Sequence, residues 1–189
     1  PGIVRTKIKG KLGIRASDTA EIALDGVRVP KTNLVGKRGA GFYQLMHFFD
    51  TTRVFVAAQG VGLAQACLDE SVKYCKERTA FGMPLGAYQL SMKKLAEMWI
   101  QIEALRNMTY KGALSLDSKK PDYHISAMAK FFAGQTAVFC ANAAVELHGG
   151  YGYIDEYKVQ KWYRDAKILE LYEGTKEAEI MTLGRVLMS

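Results

Sequence analysis

From Gly41 onward the apolar positions recur close to every 3.6 residues. Phe42, Leu45, Met46, Phe49, Phe55 or Val56, Leu63, Cys67, Val72 and Cys75 keep that period and predict one long helix. Gly60 and Gly62 lie inside it. Glycine lowers helix propensity, so this pair points to a close approach by a second helix. Phe81-Gly82-Met83-Pro84 breaks the pattern, and a second helix follows with Leu90, Leu95, Met98, Ile102 and Leu105 on one side. Asp117 to Asp122 is the next connection. A third helix is expected from about Asp122 to Leu147, with Ile125, Met128, Phe132, Phe139 and Leu147 as its apolar positions, stopped by Gly149-Gly150. Tyr157 to Ala166 reads as a short helix and Gly174 to Leu187 as a last one. Long helices with short links predict an antiparallel bundle.

Before residue 38 the pattern differs. Short stretches rich in Ile, Val and Thr are separated by turn residues at Gly10, Gly13, Ser17-Asp18, Asp25-Gly26 and Pro30. Glu21-Ile22-Ala23-Leu24 and Val27-Arg28-Val29 alternate at period two, and Asp25-Gly26 between them signals a hairpin or a tight turn. Two strands do not make a stable domain by themselves, so further strands are expected elsewhere. Pro1 in the place of Met leads to the same expectation, a piece of something longer.

Composition narrows the class. The chain has 189 residues, 49% apolar and 24% charged, the balance of a globular protein rather than a disordered one. No apolar run reaches the roughly 18 residues of a membrane span; Val54 to Leu68 is broken by Gln59 and Gln65. Cys67, Cys75 and Cys140 are odd in number and form no CxxC or Cys/His pair, which argues against a disulfide framework or a metal site and suits a reducing compartment. Buried structural thiols are expected. The net charge of +7 is concentrated in residues 1–40, which carry nine basic and three acidic groups. There the basic residues alternate with apolar ones, as on the wet face of strands. No stripe with interleaved aromatics is present, so no nucleic-acid partner is expected.

Three segments hold polar residues that packing does not explain. In Phe49-Asp50-Thr51-Thr52-Arg53, Asp50 and Arg53 share a helix face and make either an ion pair or a ligand contact. In Arg78-Thr79-Ala80-Phe81-Gly82-Met83-Pro84, continuing to Gln89, an Arg precedes a Gly-Pro turn and Phe81 offers a flat surface. Phosphate contact and stacking fit that set, and so does a plain helix-ending loop. The third runs through Glu146-Leu147-His148-Gly149-Gly150-Tyr151-Gly152, Tyr163-Arg164-Asp165-Ala166-Lys167 and Tyr172-Glu173-Gly174-Thr175. Its glycines admit a ligand close to the backbone or simply turn the chain. Glu173 at a helix start either complements the dipole or acts as a base. His148 lacks a second His or Cys at ligand spacing.

In their order and spacing these motifs resemble the C-terminal half of the acyl-CoA dehydrogenase family, flavoproteins that oxidise acyl-CoA thioesters. The likeness begins at Gly13-Ile14-Arg15-Ala16-Ser17-Asp18-Thr19 and covers essentially the whole chain. It implies a mainly α architecture: residues 1–38 end a middle β-domain, and residues 39–189 form a C-terminal four-helix bundle. A whole family member would be about twice as long, with an N-terminal helical domain and the rest of the β-domain.

The resemblance also implies roles. Glu173 would be the base that removes the α-proton of an acyl-CoA while the β-hydrogen leaves as hydride to FAD, giving a trans-2-enoyl-CoA. In the family the N–H of this Glu and a flavin ribityl hydroxyl stabilise the thioester oxygen, each such donor being worth roughly 3–4 kcal/mol. Asp50, Arg53, Tyr172 and Gly174 would contact substrate. Arg78, Phe81 and Gln89 match positions that contact FAD across a subunit interface, Glu146, Gly149 and Gly150 match its pyrophosphate and adenosine region, and Thr175 and Glu177 match flavin contacts. Glu146 stands where many relatives have Gln, and Glu177 where some do; extra negative charge beside a pyrophosphate is unfavourable. The implied assembly is a homotetramer, a dimer of dimers. The implied electron acceptor is an electron-transferring flavoprotein, in the cytoplasm of a prokaryote or the mitochondrial matrix of a eukaryote. An acyl-CoA oxidase, or a non-catalytic binding or oligomerisation module on the same scaffold (including a DNA-associated one), are the alternatives. Acyl-chain length is not legible.

Overall fold

The computed structural model describes residues 1–188. Its long helices are α1 (Gly41–Glu77), α2 (Gln89–Leu116) and α3 (Tyr123–His148), followed by the shorter α4 (Val159–Ala166) and α5 (Lys176–Leu187). Local chemistry sets the boundaries. Asp122 caps α3 by accepting the His124 N–H at 3.0 Å, and Thr175 caps α5 by accepting that of Ala178 at 3.3 Å. Gly149, at φ 60°, ends α3 in the left-handed region where a side chain would be strained. Between α1 and α2 the chain makes a minimal hairpin of β3 (Thr79–Ala80) and β4 (Met83–Pro84). Phe81 and Gly82 turn it at φ 49° and 84°, the paired positive values a tight hairpin turn requires.

The expected bundle is present: α1, α2 and α3 are its long members and α5, docked on α3, a short fourth. Its core follows the predicted face of α2 closely, with Met98, Ile102 and Leu105 fully buried and Leu95 packed against them, but Leu90 lies outside. On α1 the buried face starts only at Val54. Phe42 and Leu45 are exposed, because the first turns of α1 precede the part covered by α2 and α3, and Phe55 points outward between buried Val54 and Val56. On α3 the expected apolar residues form the core face only in part: Leu147 is buried and Phe132 packs against the core. Met128 and Phe139 point out, and the buried positions are Ala127, Ala129, Ala133, Ala137, Cys140, Ala141, Ala143, Ala144 and Leu147. As the central helix, α3 is packed by α1, α2, α4 and α5, and only small side chains let that many backbones approach. All three cysteines are buried and free. Among the described residues, no helix is long and apolar enough to cross a membrane.

The two glycines of α1 separate cleanly. A β-carbon on Gly60 would sit 2.8 Å from the Ala133 β-carbon, whereas one on Gly62 would meet nothing within 4 Å. The close approach therefore belongs to Gly60 alone. Alanine at the two sites should shift stability in opposite directions. Gly62→Ala gains up to about 1 kcal/mol of helix propensity. Gly60→Ala forces α1 off α3 and loses about 1–3 kcal/mol. Urea midpoints of the two variants, moving to either side of the parent, are the check.

The β segment departs from the sequence reading. β2 (Ala20–Leu24) pairs antiparallel not with Val27–Val29 but with β1 (Ile3–Lys7), in the register Ile3 to Leu24 and Lys7 to Ala20. Asp25-Gly26 is a tight turn rather than a hairpin loop. The Asp25 N–H donates to the Gly2 carbonyl at 2.8 Å and Gly26 sits at φ 57°, so the ladder bond next to the turn is spent on the upstream strand. Every residue of the ribbon is exposed. The segment is tied to the bundle at α4: the Ile14 N–H donates to Asp165 Oδ1 at 2.6 Å, and Arg164 Nη1 donates to the Leu12 carbonyl at 3.2 Å.

Candidate active site

Glu173 lies in the turn that leads into α5, half-buried, at φ 57°. Gly174 follows at φ 104°. A left-handed non-glycine residue costs about 1–3 kcal/mol and persists only where its surroundings hold it there. Three elements do so. From α1, Thr52 Oγ1 donates to Glu173 Oε2 at 2.5 Å, and Arg53 Nε donates to the Glu173 carbonyl at 3.2 Å. From α3, Lys130 Nζ donates to the Gly174 carbonyl. From α5, the Glu179 carboxylate lies 3.6 Å from Lys130 Nζ and 3.7 Å from Arg53 Nε. The N–H of Glu173 itself donates to no acceptor among the described residues.

The remaining residues of the predicted substrate and flavin set surround this turn. Asp50 pairs with Arg53 at 3.1 Å, so the ion-pair reading of that spacing holds, and Arg53 reaches on to Glu173 as well. Burial raises the Asp50 carboxyl while Arg53 and then His47 oppose it. Tyr172 is half-buried and its hydroxyl donates to Gln59 Oε1. Burial and then the Glu173 charge raise its phenol. Thr175 is the α5 cap, and Glu177 is exposed on the first turn of that helix.

Lys130 and Glu179 are 0% and 1% exposed, the two most deeply buried charges among the described residues. Burial lowers Lys130, opposed first by the Glu179 charge. Burial likewise pushes the Glu179 carboxyl up to about 7, opposed by Lys130 and then Arg53. An unfolded Glu titrates near 4.5. The native state therefore binds more protons between these values, and stability from this group is full below pH 4.5 and lost as pH rises to about 7. That loss is up to about 3 kcal/mol. Glu179→Gln should flatten the urea-midpoint-against-pH curve over this window, the difference between parent and variant being the readout.

The other predicted cofactor residues gather at the opposite end of α1. Arg78, Glu146, Gly149 and Gly150 line one open cavity of about 570 Å³ together with Tyr74, His148 and Tyr151. The Arg78 guanidinium stands over the Tyr151 ring at 5.7 Å. His148 is buried, stacked on Tyr74 with centroids 4.2 Å apart, and its Nδ1 lies 2.8 Å from the Ala144 carbonyl. Burial lowers its pKa, leaving a neutral ring in the cavity wall. β-Carbons on Gly149 or Gly150 would meet nothing within 4 Å, so the two glycines leave an open cradle. Phe81, 99% exposed at the tip of the β3–β4 turn, and Gln89 border a second hollow that shares Ala80 and Leu85 with the first. Glu146 does not present a bare charge. Lys94 and Asn142 both donate to it and hold its carboxyl below the usual range.

The two groups do not meet within one chain. At 1.5 Å rise per residue, Arg53 and Arg78 are about 38 Å apart along α1. Sequence reasoning missed three members of the Glu173 group. Thr52 belongs to the Phe49-to-Arg53 segment, whose pattern gives it no role. Nothing in the pattern marked Lys130 or Glu179, since a buried charge and an exposed one look alike in one dimension.

Comparison with known proteins identifies the family and the fold. The family of acyl-CoA dehydrogenase C-terminal domains matches residues 39–188. The mitochondrial short-chain specific acyl-CoA dehydrogenase of Mus musculus is 43% identical over 190 aligned residues, covering 100% of this chain and 46% of that protein. Butyryl-CoA dehydrogenase from Megasphaera elsdenii superposes with a TM-score of 0.97 at 42% identity, covering 100% of this chain and 49% of that one. A chain in the structure of the electron transferring flavoprotein of Acidaminococcus fermentans superposes with a TM-score of 0.96 at 39% identity, over 100% of this chain and 50% of that one. The chain thus spans about half the length of the relatives it matches.

Proposed function

The chain belongs to the acyl-CoA dehydrogenase family, and from that premise we propose that it works in the FAD-dependent α,β-dehydrogenation of an acyl-CoA thioester, with Glu173 as the base. The observation that carries this reading is the presentation of Glu173. Its backbone is held left-handed by Arg53, its carboxylate is oriented by one short bond from Thr52, and its own N–H donates to no acceptor among the described residues. A carboxylate and an N–H on one residue can meet the two ends of the same proton transfer. The carboxylate takes the α-proton, and the N–H donates to the thioester oxygen as negative charge develops there.

The residues present fit FAD. The open Gly149-Gly150 cradle, the Arg78 cation and the exposed Phe81 ring suit a pyrophosphate and flat rings, and Thr175 and Glu177 stand beside the base. Bound there, FAD would supply the acceptor for the β-hydride. The separation of about 38 Å between the Glu173 and Arg78 groups supports a site completed by a second copy, each copy lending its Arg78, Phe81 and Gln89 to its neighbour's cofactor. Residues 1–38 are then the last strands of a middle β-domain, residues 39–189 the helical C-terminal domain, and the assembly a homotetramer. An electron-transferring flavoprotein is the electron acceptor. Asp50, Tyr172 and Gly174 line the path of the substrate.

The test is a visible absorption spectrum of the purified protein with FAD, repeated anaerobically with a panel of acyl-CoAs. A bound-flavin band that one thioester class bleaches, and that air restores only slowly, is the expected result. A band that no acyl-CoA bleaches would overturn the reading; rapid reoxidation by air would reassign the protein as an oxidase.

A further inference from the structure

Beneath the turn that carries Glu173 lie two charges to which the proposed reaction gives no part. We propose that Lys130 and Glu179 are a positioning pair that clamps the Gly174 carbonyl and so holds the left-handed turn from which Glu173 works. The inference rests on Glu173 being the base.

The pair is poorly built for stability. Lys130 comes from the N-terminal third of α3 and Glu179 from the first turn of α5, both out of contact with water. Their charged atoms approach only to 3.6 Å, and neither Glu179 oxygen has a hydrogen bond. Two desolvated charges at that separation do not repay the water they lose, and apolar side chains of the same size would serve the packing as well. The charges are explained by what they touch. Lys130 Nζ donates to the Gly174 carbonyl, and Arg53 Nε donates to the Glu173 carbonyl at 3.2 Å. Two successive carbonyls, on two successive left-handed residues at φ 57° and 104°, are thus each held by a cation.

Each contact fixes a peptide plane, because a planar trans peptide carries its N–H opposite its carbonyl. With the planes fixed, the Glu173 side chain needs one further contact, and it has one, from Thr52. Glu179 stands between the two cations, 3.6 Å from Lys130 and 3.7 Å from Arg53, and offsets both without touching Glu173. A β-carbon on Gly174 would come within 3.4 Å of both Arg53 Nη2 and Glu179 Oε1, so the clamp closes directly on the turn. Lys130 and Glu179 act through the backbone; they are positioning residues.

The test replaces the pair by apolar residues, Lys130→Met with Glu179→Leu, which removes the clamp and leaves no orphaned charge. Backbone 15N relaxation of the cofactor-free protein is read first. The order parameters of Gly174 and Thr175 should fall from the rigid level of about 0.85 to below about 0.6, while those of α1, α2 and α3 stay rigid. In the flavin-loaded protein, anaerobic bleaching by a saturating acyl-CoA should slow at least about tenfold, with the half-saturating concentration within about twofold of the parent. A turn that stays rigid, a loss of order spread over the whole bundle, or an unchanged bleaching rate overturns the proposal. Should the double variant fail to fold, Lys130→Met alone, read at pH 6 where the Glu179 carboxyl is protonated, removes the same contact, and a rigid result on the same two residues again counts against the proposal. Glu173→Gln, run alongside, separates the two ideas. If it still bleaches, the reading of Glu173 fails. If it does not and the paired variant bleaches like the parent, only the positioning role fails.

Discussion

Glu173→Gln should leave a protein that still takes up FAD but is bleached by acyl-CoA about 10³-fold or more slowly. The substitution keeps the side-chain volume, and the amide oxygen still accepts from Thr52 Oγ1. The Arg53 bond is to the backbone carbonyl of residue 173, so the turn keeps that support too. What disappears is the capacity to take a proton. A positioned general base contributes about 10²–10⁴-fold, and an α-carbon beside a thioester is too weak an acid to manage without one. The effect should fall on the rate at saturating substrate, because the carboxylate's work is done in the transition state and not in holding the ground-state thioester. Stopped-flow absorbance of the flavin band gives both numbers. A variant that bleaches within about tenfold of the parent would remove Glu173 from the role of base. Thr52→Val, which loses only the orienting bond, should slow bleaching by a smaller factor than Glu173→Gln.

Lys130→Met by itself should be the most destabilising single change in the bundle. It leaves the Glu179 carboxylate buried with Arg53 as its one remaining counter-charge, at 3.7 Å and without a hydrogen bond. Breaking a buried pair by removing one partner costs about 3–5 kcal/mol. The loss is measured by urea unfolding at pH 8, above the Glu179 value of about 7, where that carboxylate is charged. Adding Glu179→Leu should return the stability to within about 1 kcal/mol of the parent, since two apolar residues of similar volume pack as well as a loose ion pair. An unchanged slope of free energy against urea would place both effects in the native state. If Lys130→Met unfolds at the parent's midpoint, the charge is not buried as the structure has it.

Much of the architecture was legible in one dimension, because helices are local objects. The apolar period over α1 and α2, the start of α3 at about Asp122, the Gly149-Gly150 stop and the break at Phe81-Gly82-Met83-Pro84 all depend on neighbours a few residues away. The candidate base was legible in a different way. Glu173 was found by the resemblance of ordered motifs, and its residue type and place before a helix cap agreed with it.

What the tertiary structure alone decided is every question of which surface faces which. The period of α3 allows several inward faces. The alanine face won because α1, α2, α4 and α5 all close on this helix, and large residues such as Met128 and Phe139 were turned outward. The partner of β2 was decided the same way, by a strand 13 or more positions upstream rather than by the adjacent Val27–Val29. The two ends of α1 divided the cofactor residues into separate neighbourhoods that their sequence order had run together. Lys130 is the sharpest case. A lysine in a helix is ordinarily a solvated side chain, and burial is not a property of the residue but of what surrounds it. Only when α1, α3 and the start of α5 are brought together does that lysine, with Arg53 and Glu179, become the floor beneath Glu173.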